Sequence, residues 1–174
     1  MEIYLNSAKK QFQYYKSLGE KAMVQLEDKD LFWVYNDECN SIAIIVQHLW
    51  GNMLSRWTDF LTSDGEKAWR ERDKEFEVVI TTREELMKIW NEGWQCLFTA
   101  LDSIGADDWN KDIFIRSERH TVVDAINRQL AHYPYHIGQM VFIAKMAAGD
   151  WKALTIPKGN SQAFNAEMEK KSAK

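Results

Sequence analysis

Proline is nearly missing from this chain, occurring only at positions 134 and 157 of 174 residues. Because proline removes a backbone donor and its ring clashes with the preceding turn, its scarcity leaves long stretches free to run as helix. Four stretches carry the matching periodicity. Residues 2–27 set Leu5, Ala8, Phe12, Tyr15, Leu18, Ala22 and Leu26 at spacings of three and four, which makes one apolar face. A second helix is predicted from a cap at Asn40 or Ser41 to about Thr62, with Ile42, Ile45, Leu49, Met53 and Phe60 on its stripe. The third starts at Thr81 or Thr82, each followed three residues later by Glu as a capping box requires, and faces Leu86, Trp90, Trp94, Leu97, Leu101 and Ile104 inward. The fourth follows Thr121, which has Asp124 three places on, and stops near Ala148 before Gly149.

These stretches predict an all-α four-helix bundle over residues 1–156 and an appended tail, 157–174, that loses regular hydrophobic spacing and should be an irregular, frayed segment. The charged connection from Ser63 through Glu77 is too long for a tight turn and separates helices two and three. A short extended piece is expected at Ile113, Phe114 and Ile115. The chain is 45% hydrophobic, enough to bury a core without disulfides, and Cys39 and Cys96 read as reduced thiols. A net charge of −4 provides no footprint for a polyanionic backbone, so nucleic acid is excluded as a partner. No stretch reaches the roughly 20 apolar residues of a membrane span, and the N-terminus lacks a basic start and apolar run. A cytoplasmic protein without membrane contact is therefore expected.

The chemistry concentrates in Ala131-His132-Tyr133-Pro134-Tyr135-His136-Ile137-Gly138-Gln139. Residues four apart on a helix share a face, with Cβ atoms about 5 to 6 Å apart, so His132 and His136 can hold one metal ion together. Their stripe, shared with Ala125, Gln129 and Ile143, looks toward the interior, and Pro134 between them should bend the helix or loosen a turn. On the second helix His48, Asn52, Ser55 and Asp59 recur at i, i+4, i+7 and i+11 as a polar stripe beside an apolar face. His48 can then supply a third nitrogen from across the bundle, leaving coordination positions open for water or substrate. Gln47 and Gln139 are candidates for supporting roles at best, and His120 reads as a surface residue.

Through His48 and the block from His132 to Gln139, the chain resembles the DinB superfamily of metalloenzymes, and its four-helix layout over residues 2–148 matches as well. The resemblance implies an up-down-down-up bundle, a divalent metal on three histidines, commonly zinc or nickel, and frequent homodimers. The segment from Leu49 to Lys67 looks like a branch of that superfamily without an assigned activity. Characterised relatives include metal-dependent transferases using low-molecular-weight thiols such as bacillithiol, and a mycothiol-dependent maleylpyruvate isomerase.

Three functions are weighed. In a thiol S-transferase acting on a small-molecule substrate, neutral imidazoles leave the ion's charge uncompensated and favour binding of a thiolate. Asn52, Ser55 and Asp59 would then position the electrophile, and Arg56, Arg70 or Arg72 would hold a carboxylate, although Arg70 and Arg72 read more readily as solvated loop charges. A hydrolase would instead activate metal-bound water with Asp59 or Asp124 as base. A non-enzymatic, stress-associated bundle would use the ion to pin helices two and four.

Overall fold

The computed structural model describes residues 1–77 and 79–172; Val78, in the long connection, and Ala173 and Lys174, at the end of the expected tail, lie outside the described residues. Among the described residues five α-helices form: α1 (Glu2–Met23), α2 (Ile42–Trp57), α3 (Arg83–Asp102), α4 (Val122–Ala147) and α5 (Ser161–Ser172). One antiparallel hairpin joins β1 (Asp112–Ile115) to β2 (Glu118–Thr121), with Ile113 opposite His120 and Phe114 opposite Arg119. No helix among the described residues is long and apolar enough to cross a membrane.

Side-chain caps set the starts of α2, α3 and α4. The Ser41 hydroxyl accepts the Ile44 amide at 3.2 Å. At α3 Thr82 and Glu85 exchange hydrogen bonds, and at α4 Thr121 and Asp124 do the same, so amides with no intrahelical acceptor are satisfied. Helix α1 stops at Met23, four residues before the periodic pattern ends, because the chain turns there into a short 3-10 segment at Asp28–Phe32. Helix α2 stops at Trp57 rather than near Thr62: Thr58 is extended and Asp59 takes φ 50°, the left-handed conformation that Asp tolerates better than most residues. Helix α4 runs unbroken through Pro134, whose ring nitrogen has no proton to give the Leu130 carbonyl.

The four long helices enclose one core, with α1 packed on α4 and α2 on both α3 and α4. Tyr133 sits at its centre, fully buried against the rings of Phe12 and Trp94. Its hydroxyl accepts from Trp57 Nε1 at 3.0 Å and donates to Asn52 Oδ1 at 3.2 Å. A buried phenol needs such partners, and these two fix how α4 sits against α2 one residue away from His132.

Three expectations require correction. The tail is not irregular: Ser161–Ser172 forms α5, an exposed helix closing with Lys170 and Lys171, which favour the negative end of the helix dipole. His120 is not a surface residue, since its place in β2 opposite Ile113 turns the ring inward and leaves the side chain 15% exposed. The long connection is not simply solvated. Its Asp64 carboxylate accepts the amides of Arg116 and Ser117 in the hairpin, Gly65 N donates to Phe114 O at 2.7 Å, and a 3-10 turn forms at Asp73–Phe76. The short extended piece at Ile113–Ile115 is present as part of β1.

Candidate metal centre

α2 carries His48 and α4 carries His132 and His136, and the packing of the two helices brings the three rings together. His132 Nε2 lies 3.4 Å from His48 Nε2 and 3.0 Å from His136 Nε2, and one ligand nitrogen from each ring falls within 4.8 Å of the others. Two nitrogens each bonded to a tetrahedral zinc at 2.0–2.1 Å stand about 3.3 Å apart. The cluster therefore has the dimensions of a three-imidazole metal site.

The opposite nitrogens decide which atoms can bind. His48 Nδ1 faces Glu75 Oε2 at 2.9 Å, His132 Nδ1 faces Gln129 Oε1 at 3.2 Å, and His136 Nδ1 faces Gln139 Oε1 at 2.8 Å. Each oxygen accepts the Nδ1 proton, which leaves all three Nε2 lone pairs unprotonated and directed at the shared centre. Burial, followed by the neighbouring His136 and His48, pushes His132 down to about 3. Burial also lowers His136, partly offset by its bond to Gln139. Three imidazoles converging on one point, two of them disfavoured as cations by burial, suit a metal ion better than a proton.

Glu75 comes from the connection, not from a helix, and several contacts place it. Arg70 Nε and Nη2 donate to its two oxygens at 2.5 and 2.9 Å, and the Arg70 side chain is 1% exposed. Burial acts to raise the Glu75 carboxyl, but the bonds from His48 and Arg70 outweigh it and hold the group below its ordinary range. Gln47 secures the turn itself, its side-chain amide donating to the carbonyls of Lys74, Glu75 and Glu77. Phe76, one residue on, stacks on the His48 ring with centroids 5.4 Å apart.

Gly51 leaves room for this carboxylate. A Cβ there would fall 2.5 Å from Glu75 Oε1 and 3.1 Å from its Cδ. In an ordinary helix interior Gly→Ala gains about 1 kcal/mol. Gly51→Ala is expected instead to push Glu75 off His48 and weaken metal binding about tenfold, the lower range for loss of a supporting group, read by competition with a chromophoric chelator.

Protonation supplies another test. With His132 near 3 in the folded chain and its ordinary value at 6.5, the unfolded chain binds a proton that the folded chain refuses between those limits. Stability of chelator-treated protein is thus fullest above pH 6.5 and declines as pH falls toward 3. Urea midpoints at pH 8 and pH 5 measure the decline, and His132→Ala should flatten it.

The remaining polar residues have other engagements. Asn52 is bound to Tyr133, and Ser55 donates to Gly65 O from a fully buried position. Asp59 lies past the end of α2, whose last residue, nine beyond His48, is already about 14 Å along the axis. Asp124 caps α4, eight residues and about 12 Å of rise before His132. Arg56 is buried against Gly65 O and Glu66, Arg72 pairs with Glu66, and Arg70 is committed to Glu75, not solvated. Gln129 and Gln139 were detectable, standing three residues before His132 and three after His136 on the same helix; Glu75 and Arg70 lie in a stretch without periodicity, where no spacing marks them.

No curated protein and no solved structure matches the chain. A family model described as protein of unknown function (DUF1572) matches residues 1–160, which takes in all four long helices and the three clustered histidines. The chain belongs to the DUF1572 family, and carries within it a three-histidine group able to hold a metal ion.

Proposed function

We propose that the chain is a metal-dependent thiol S-transferase of the DinB superfamily, a four-helix bundle of up-down-down-up course. The convergence of three Nε2 atoms, each backed by an oxygen at Nδ1, carries this reading. His48, His132 and His136 would hold the ion, with zinc ranked first and nickel second because imidazole suits both. Bound there, such an ion would supply Lewis acidity that lowers the pKa of an incoming thiol.

This chain's own residues do the rest. Gln129, Gln139 and the Glu75–Arg70 pair keep the three rings in the tautomer that presents Nε2. Phe76 stacks on the His48 ring and Tyr135 stands edge-on to His136, so each ring has an aromatic neighbour that restricts its rotation. In the reaction a low-molecular-weight thiol loses its proton to solvent, its sulfur forms a bond to the electrophilic carbon, and the leaving group departs with the electron pair. Hydrolysis is less well supported, since the two carboxylates that would serve as base, Asp59 and Asp124, lie turns away from the histidines. A homodimer in the cytoplasm completes the reading, its mass checked by sedimentation.

The test pairs elemental analysis of the purified protein with a thiol-consumption assay across a panel of electrophiles. About one equivalent of zinc or nickel, and turnover lost in His48→Ala, His132→Ala and His136→Ala, are expected. A stoichiometric metal with no thiol consumed against any electrophile overturns the transferase, and absence of metal from all preparations overturns the centre.

A further inference from the structure

One helical turn from the histidines lies a cleft of about 300 Å³, within the usual size range for a small-molecule site. Ile45, one turn before His48, and Gln139, the oxygen partner of His136, form its inner wall. Trp33 and Tyr35, from the segment between α1 and α2, stand edge to face across it, and Phe142 and Met146 of α4 close the other side. Tyr35 is 71% and Phe142 64% exposed. Two large rings left in water at the mouth of a cavity one turn from the histidine cluster are unfavourable for an empty protein and favourable for one that closes them on an apolar guest.

The charges select the guest. Among the described residues lining the cleft there is no Lys and no Arg, and Glu38 is its one carboxylate. The arginines that sequence alone offered to a carboxylate are spent elsewhere: Arg70 on Glu75, Arg56 and Arg72 on Glu66. An anion entering here would be desolvated without a counter-ion and beside an acid, which is costly. From this we infer that the cleft binds the uncharged aromatic body of the substrate, with the reactive end directed past Gln139 toward the histidines. The inference rests on the proposed transferase for its orientation, whereas binding in the cleft is tested independently of that reaction.

The experiment titrates metal-loaded protein with a matched pair of probes, naphthalene-2-methanol and 2-naphthoate, by quenching of tryptophan fluorescence. Saturable binding of the neutral probe at least tenfold tighter than the carboxylate is expected. Phe142→Ala, a change at an exposed position that leaves the core intact, should weaken the neutral probe at least fivefold. The His132→Ala protein should keep the preference, so that a lost metal site and a wrong cleft assignment give different results. To test orientation, 2-naphthalenethiol and a small aliphatic thiol are added to cobalt-loaded protein. Phe142→Ala should weaken the visible response to the arenethiol alone. Equal or tighter binding of the carboxylate, no saturable binding of the neutral probe, or indifference of both probes to Phe142→Ala overturns the cleft; an equal effect of Phe142→Ala on both thiols overturns its orientation.

Discussion

His132→Ala should lower metal affinity by more than about a hundredfold, since loss of groups that merely support a ligand already costs 10–100-fold. His132 is the hinge of the cluster, its Nε2 within 3.4 Å of both other rings. Removing it leaves His48 and His136 as two donors on different helices, with their ring centroids 4.9 Å apart. The measurement is zinc content after gel filtration together with a competition titration. Because the imidazole is half-buried and kept neutral at a cost, the chelated variant should melt close to chelated wild type, which separates loss of the site from loss of the fold. Retention of a full equivalent of tightly held metal would mean that the ion sits elsewhere.

Glu75→Ala carries the second large effect, and on two quantities at once. The carboxylate is the partner of a guanidinium whose side chain is 1% exposed, and removing one member of a buried pair leaves an uncompensated charge that costs about 3–5 kcal/mol. It also strips His48 Nδ1 of its acceptor at 2.9 Å, so metal affinity should fall about 10–100-fold. Replacing both partners with apolar residues, Glu75→Leu with Arg70→Met, should recover most of the stability, because the buried charge goes with its partner. It should not recover the affinity. A double variant that regained metal binding would show that Glu75 matters only for folding. Denaturant midpoints and chelator competition on the same samples separate the two readouts.

Much of the framework was legible before any coordinates. Ser41, Thr82 and Thr121 announce helix starts because a cap is a local event, settled by a side chain and an amide within three residues. The pairing of His132 with His136 is equally local, since the helical repeat places residues four apart on one face whatever lies outside. Helix ends were less legible. The apolar pattern of α2 runs on to Phe60, which is buried, yet the helix has ended at Trp57, because burial can be satisfied by a turn as well as by helix.

What only the tertiary structure decided is the company these residues keep. His48 and His132 are 84 positions apart, and no periodicity within either helix states which faces meet; the Tyr133 contacts with Trp57 and Asn52 do. Glu75 and Arg70 read as loop charges because nothing local separates a solvated carboxylate from a buried one. Their desolvation is set by α2, by the gap at Gly51 and by the three carbonyls that Gln47 gathers. The physical reason is one of range: backbone hydrogen bonding and helical repeat act over a few residues and are written in the local sequence, whereas burial and electrostatic pairing depend on whatever chain arrives from far away.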